Sequence, residues 1–322
     1  LDLDGFVKAD LVLKGNQSDA EKGNYSKLYN KGTLELRNIG IASEYLPQKF
    51  IIKEGVFKIN QDKMSFNNFL AAYGQSDFKM NGYLQNVFNY VTTKTGVLKG
   101  SFKVTSRYIN VDEFMSSTPT NTTVTEAKTE TKPQAQPAQT GVIIIPTNLN
   151  LQFVANAQKV NFDKLNLQNA TGSLNMKKGK LTMQNTGFNL IGCNVNMNAT
   201  YQALTTQKAN FEYAIKATDF DIKRAYNEIE VFRKMASAAE KAQGIVSVDY
   251  QLKGRLNGNM DPVYPSLVGG GTLSIKDVKV RGLKMFNAVS KETNTESIKN
   301  PDLSKVDIKT TIKNNIMTVE RF

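Results

Sequence analysis

The chain is 322 residues long, 40% hydrophobic and 22% charged, with a formal net charge of +12. That is enough for two domains or one long sheet of ordinary folded composition. It has no His, no Trp and a single cysteine, Cys193, which removes the commonest general base and zinc ligand and excludes an intramolecular disulfide. The basic excess reads first as a Lys- and Asn-rich solvated surface and second as attraction to an anionic membrane. The Lys residues read as scattered on strand faces rather than clustered, and no aromatic-interleaved basic motif points to nucleic acid.

No apolar run is long enough to span a bilayer as a helix. The chain opens on Leu1-Asp2-Leu3-Asp4-Gly5 and stops at Phe322. It reads as a piece of a longer protein whose missing N-terminal part would hold any anchor or export signal.

Period-2 alternation predicts strands over 5–14, 32–41, 50–60, 63–72, 75–85 and 96–107. In the last of these, Leu98, Phe102 and Val104 point one way and Lys99, Ser101, Lys103 and Thr105 the other. Asn60-Gln61-Asp62 and Tyr73-Gly74-Gln75 supply turn residues. Short loops favour an antiparallel meander over parallel crossovers. Residues 116–140 are Ser, Thr, Pro, Gln, Ala and Lys with Val124 as the one branched aliphatic; such a stretch is expected to be a disordered linker.

A second series of strands is predicted at 147–156, 165–176, 180–191, 193–202 and 208–217, and it repeats the first. Gly55-Val56-Phe57-Lys58-Ile59 is echoed by Gly172-Ser173-Leu174-Asn175-Met176, an offset of 117 residues (172 − 55 = 117). The echo continues without a gap through Met64/Leu181, Phe66/Met183, Tyr73/Leu190, Phe78/Val195, Met80/Met197 and Leu84/Tyr201, and fades after Ile215. What recurs is alternation more than identity, so the chain reads as a duplicated β unit with one apolar face. Asp219-Phe220-Asp221 then caps a helix predicted over 222–242, with Ile222, Tyr226, Ile229, Phe232, Met235, Ala236 and Ala239 as its apolar stripe. Strands at 244–256, 270–280, 305–313 and 316–321 follow, with a second helix over 282–299.

The candidate chemical motifs are weak. Gly269-Gly270-Gly271 lacks the Lys-Ser/Thr and the helix that a phosphate cradle needs, and reads as a close backbone approach within a strand. Asp2/Asp4 and Asp219/Asp221 lack a calcium loop's ligand set. Cys193 has no His to activate it. No enzyme activity, cofactor or metal is expected.

The C-terminal third carries a family resemblance. Gly254-Arg255-Leu256-Asn257-Gly258-Asn259-Met260-Asp261-Pro262 and Ser266-Leu267-Val268-Gly269-Gly270-Gly271-Thr272-Leu273-Ser274-Ile275 follow the helix and the strand from Val248. This order resembles the C-terminal region of the AsmA family, where a helix precedes a strand, G-x-L-x-x-x-M-x-P and S-L-x-G-x-G-x-L-x-I. Upstream, Gly55-Val56-Phe57-Lys58-Ile59 and the stretch Ser76-Asp77-Phe78 to Gly82-Tyr83-Leu84-Gln85-Asn86 are similar to that family's G-x-F-x-I and S-D-F-x-x-x-G-x-L-x-N. The Asn- and Lys-rich style suggests a Bacteroidetes-like source. The resemblance implies a Gram-negative envelope protein, anchored in the inner membrane and projecting into the periplasm. It also implies a link to outer-membrane assembly and, as in TamB-like relatives, phospholipid transfer along a hydrophobic β-groove.

The expected fold is mostly β: a duplicated antiparallel meander forming a curled sheet with an apolar inner face, plus one or two amphipathic helices in the C-terminal half. The units are 1–115, a linker over 116–141, 142–218, and a helix with strands over 219–322 continuous with the second unit. Roughly fifteen strands at ~4.8 Å make a sheet ~70 Å wide, far more than two helices ~10 Å across can cover. The expected groove lining is Phe57, Ile59, Met64, Phe66, Phe78 and Met80, with their echoes Leu174, Met176, Leu181, Met183, Val195 and Met197. The expected ligand is a phospholipid or another acyl chain, with membrane attachment through segments outside this chain, possible envelope-protein partners, and no nucleic acid. The alternative is a non-enzymatic scaffold for envelope or outer-membrane protein assembly whose apolar face is simply core.

Overall fold

A computed structural model describes residues 5–24, 27–43, 46–114, 141–235, 237–280, 290–296, 302–303 and 306–320. Five strands follow a first, edge strand β1 (Phe6–Lys14): β2 (Tyr29–Ser43), β3 (Leu46–Asn60), β4 (Lys63–Tyr73), β5 (Ser76–Gln85) and β6 (Leu98–Asn110). Five more form the second unit: β7 (Leu149–Phe162), β8 (Leu165–Lys177), β9 (Lys180–Leu190), β10 (Cys193–Thr205) and β11 (Lys208–Asp221). Then come β12 (Ala242–Leu256), β13 (Val268–Val280), the two-residue β14 (Asp302–Leu303), β15 (Val306–Lys313) and β16 (Ile316–Val319). All lie in one sheet in chain order, with β14 paired to β13 off the main path and β1 and β16 at opposite edges. The protein is thus mostly β, a single open sheet. The 117-residue offset carries β4 onto β9 from first residue to last.

Among the described strands every pairing is antiparallel, as expected of a meander, except at one seam. β6 and β7 run parallel, in register from Leu98↔Leu149 to Asn110↔Asn161. Geometry explains the exception. A unit with an odd number of alternating strands ends in the direction in which it began. Two such units in tandem, each with the same polarity, must therefore meet in parallel. A parallel junction needs a crossover as long as the strand, and residues 111–148 supply it. The linker expected over 116–140 falls within this crossover and outside the described residues.

The turns between strands define two rims. The lower rim holds the starts of β6 and β7, and the upper rim holds their ends. Sequence reading missed α1 (Gln17–Glu21) and α2 (Val87–Thr92), both on the lower rim and too short for a periodic signal. The single helix expected over 222–242 is broken. α3 (Ile222–Glu228) stops at Ile229, whose backbone is extended, and α4 (Glu230–Met235) and a 3₁₀ turn (Ser237–Lys241) follow. Asp221 caps α3 as expected, its carboxylate accepting from the Arg224 amide at 2.7 Å. Asn227 and β-branched Ile229 and Val231 favour helix weakly, and the break lets Phe232 meet Phe220 edge-on at 5.9 Å. Of the helix expected over 282–299 only 290–296 are described, and 290–293 are helical.

Matching β-bulges are built into both units. Asn68 and Asn185, again 117 apart, adopt left-handed φ of 53° and 50°, a conformation asparagine tolerates better than most residues. Each bulge amide donates to the side chain of an asparagine on the next strand. Asn68 N donates to Asn81 Oδ1 at 2.8 Å, and Asn185 N to Asn198 Oδ1 at 2.9 Å. A bulge increases local twist and bends its strand, so these clips set part of the curl. Asn81→Ala or Asn198→Ala is expected to cost about 1 kcal/mol each, read as a lower urea midpoint at unchanged m-value.

Candidate functional site

Residues paired across a sheet share a face, so the register shows what each face is made of. One row runs Leu34, Phe57, Phe66, Gly82, Phe102 and Phe153 across the seam, then Leu174, Met183, Ala199, Tyr213, Leu252, Gly269 and Ile312. A second row, nearer the lower rim, runs Ile59, Met64, Leu84, Gly100, Leu151, Met176, Leu181, Tyr201, Phe211 and Gly254. Neither row holds a charged residue. Both cross the parallel seam without a change of face.

All twelve residues expected to line the groove lie on this face. In the first unit Phe57, Ile59 and Phe66 are buried, whereas Met64, Phe78 and Met80 are partly buried. In the second unit Val195 is buried, and Leu174, Met176, Leu181, Met183 and Met197 are partly buried. The two halves therefore differ.

In the first unit the face closes on itself. Phe57, Phe66 and Phe69 sit with ring centroids 5.2 to 5.4 Å apart. Phe66 reaches Phe102 at 5.7 Å across β5, and Phe102 stacks on Phe153 at 4.9 Å across the seam. Gly82 lies between Phe66 and Phe102, and a Cβ there would collide with the Ser101 carbonyl. The helix α2 buries none of its residues, so it does not cover these rings. Phe57, Phe66 and Phe102 are nevertheless no more than 8% exposed, which a flat sheet does not achieve and a concave one does.

In the second unit the face is covered at its two rims and less so between them. At the upper rim α3 and α4 place Ile222, Ala225, Ile229 and Phe232 against Phe188, Val195, Ala217 and Val246. At the lower rim the end of the crossover lies over the face. Val142 N donates to Thr206 O at 3.0 Å, and Tyr201, which points from the apolar row, donates its hydroxyl to Ile143 O at 2.8 Å. Val142 and Ile145 are buried. Sequence reading missed this strap. Its signal was the unalternating run Val142-Ile143-Ile144-Ile145 between Gly141 and Pro146, which suits neither a half-exposed strand nor the polar linker before it.

Burial raises the Tyr201 hydroxyl well above its ordinary ionisation range, and raises Tyr73 and Tyr213 in the same direction. A group with a raised folded-state value contributes stability that is complete below the unfolded value, near pH 10, and lost as the pH rises beyond it. The melting temperature should therefore fall above about pH 10, and Tyr201→Phe should flatten that fall while costing about 1 kcal/mol at neutral pH through its lost hydrogen bond.

The remaining candidates resolve as structural. Cys193 is buried in β10, its thiol donating to Leu190 O at 3.1 Å, and burial pushes its ionisation up, away from reactivity. Gly269 and Gly271 pass directly over the Gln251 and Asp249 carbonyls, as close approach demands. Asp2 and Asp4 lie outside the described residues. Burial alone would raise the Asp77 carboxyl, but the amides of Tyr108 and Arg107 and the Arg107 guanidinium outweigh it and hold it low. Among the described residues no group of His, Cys, Asp and Glu converges as a metal site, and no helix is long and apolar enough to cross a membrane. A concavity of about 610 Å³ opens on the opposite, polar face, between Gln184, Asn198, Glu212, Gln251 and Lys253. No protein-family model, curated protein or solved structure matches the chain.

Proposed function

We propose that the apolar face receives phospholipid acyl chains, and that the chain is a periplasmic module of an inner-membrane-anchored AsmA-like protein acting in outer-membrane biogenesis. The observation that carries this reading is the pair of uncharged rows crossing both units and the seam without interruption. Acyl chains need no directional contact; each buried CH₂ contributes ~0.8 kcal/mol, so a continuous apolar strip suffices and no catalytic residue is required. The part-buried stretch around Leu174, Met176, Leu181 and Met183, which joins none of the packed clusters, is where a chain would lie. The aromatic cluster of the first unit is already filled by its own rings.

That filled cluster is the specific observation behind a second reading, a non-enzymatic envelope scaffold whose apolar face is core throughout. Native mass spectrometry with lipid extraction separates the two. Protein purified from a Gram-negative host should carry phospholipid, and Met183→Asp with Met176→Asp, both partly buried, should release it while the far-ultraviolet circular dichroism stays unchanged. A lipid-free, heat-stable parent would sink the lipid reading and leave the scaffold.

A further inference from the structure

The lysines that look scattered in the sequence are aligned by the sheet. Lys31, Lys63, Lys99, Lys177, Lys180 and Arg255 occupy a single register row on the polar face, one residue closer to the lower rim than the row of Ile59 and Met64. The positions between them are all amides: Asn60, Gln85, Asn150, Gln202 and Asn210. The row crosses eleven strands, from β2 to β12, without one carboxylate. Ten spacings at ~4.8 Å give it a length of ~48 Å along the curl.

All six cations are exposed, and none is in an ion pair among the described residues. Lys63 lies over the Tyr83 ring at 4.4 Å. Beyond the row the strand ends and turns add Lys14, Lys94, Lys178 and Lys208, and Lys313 ends β15 beside the turn into β16. The few acids at this rim are mostly engaged. Asp19 faces Lys27 at 3.5 Å, Asp62 accepts from the Asn86 amide at 2.7 Å, and Glu21 accepts from Gln17 at 2.8 Å. The upper rim, by contrast, interleaves Asp112, Asp163, Asp221, Glu228 and Glu230 with its basic residues.

A row of cations alone would suit any polyanion. The tips of the same rim decide between them. Leu13, Val91, Leu204 and Ile316 are 63%, 74%, 52% and 64% exposed, and Lys14, Lys94, Lys208 and Lys313 lie one to four residues from them in sequence. Aliphatic tips set among lysines fit the headgroup–acyl boundary of an anionic bilayer. Such tips give bases nothing to stack on. The exposed rings of this rim, Tyr29 and Phe88 at 41% and 39%, lie off the row and suit the same interfacial layer, and the ring beside the row, Tyr83, is covered by Lys63.

We propose that the lower rim is a docking surface for an anionic lipid bilayer, with the lysine row against phosphate headgroups and the aliphatic tips in the interfacial layer. The inference rests on the rim alone and does not depend on what the apolar face holds.

The test is flotation of the full chain with vesicles of phosphatidylglycerol plus phosphatidylcholine, and of phosphatidylcholine alone, at low and high salt. Binding should require phosphatidylglycerol and weaken with salt. Each lysine removed should weaken it about fivefold, so Lys99→Gln, Lys177→Gln and Lys180→Gln together should weaken it about 100-fold. The single variants guard against a folding effect, and Leu204→Ser should reduce the salt-resistant part. Lys49→Gln with Lys223→Gln and Lys276→Gln, on the upper rim, should bind as the parent does. Equal binding to both vesicle types, equal loss from the upper-rim variant, or displacement from vesicles by a DNA duplex at the same salt would each overturn the proposal. Met183→Asp should leave salt-dependent flotation intact, so a failure of the acyl-chain reading shows separately.

Discussion

Phe102→Ala is expected to cost about 3–5 kcal/mol, the range for deleting a buried aromatic ring. Phe102 is the point where the duplicated units are riveted together. It is buried, it meets Phe66 at 5.7 Å on one side and Phe153 at 4.9 Å on the other, and those partners belong to different units. Little can collapse into the space it would leave. Gly82 fills the row position beside it and presents no side chain. A loss of this size is a large fraction of a domain's usual stability of about 5–15 kcal/mol. Urea unfolding should show it as a lowered midpoint. If the seam gives way before the units do, the transition should also split into two, with a smaller m-value for each part. A loss below about 1 kcal/mol would mean that the ring packs loosely and that the seam is held by its backbone ladder alone.

Phe66→Asp is expected to be more damaging still, about 5 kcal/mol or more, because it removes a ring and buries an unpaired carboxylate among three others. Phe66 is 4% exposed, between Phe57, Phe69 and Phe102. Met183 stands at the equivalent place in the second unit, paired with Leu174 and Ala199, and is only partly buried. Met183→Asp should therefore leave a folded protein where Phe66→Asp does not. Comparing the two by circular dichroism and thermal melting asks whether the echoed positions are equivalent in sequence alone or in environment as well. Equal tolerance would mean that the first unit is as open as the second.

The strands were legible because alternation is a local property, and the echo from Gly55 to Leu84 located both copies. That the residues from Phe57 to Met197 share one face was legible for the same reason, since the face of each strand position follows from the period. The seam was not, because the pairing of Leu98 with Leu149 joins residues separated by a long crossover and no local pattern encodes it. Nor was the break at Ile229: the stripe from Ile222 to Ala239 suits a straight helix, and packing onto a curved rim overrides it. The bulges had a trace in the sequence, since Asn67-Asn68 and Gln184-Asn185 interrupt alternation at matching places. Lys31, Lys63, Lys99, Lys177, Lys180 and Arg255 show most clearly what pairing adds. Their spacing in the chain is irregular, and only register turns them into a line.

The parallel seam has a consequence for how such a molecule grows. An antiparallel junction would reverse the polarity of the next unit and exchange its upper and lower rims. Joining five-strand blocks head-on in parallel preserves both the face and the rim of every copy, so a further duplication extends the sheet without reorganising what is already there. Length then changes in whole steps, ~24 Å for each block of five strands. A lineage built on this plan could match its span to a distance by counting copies rather than by redesigning a fold.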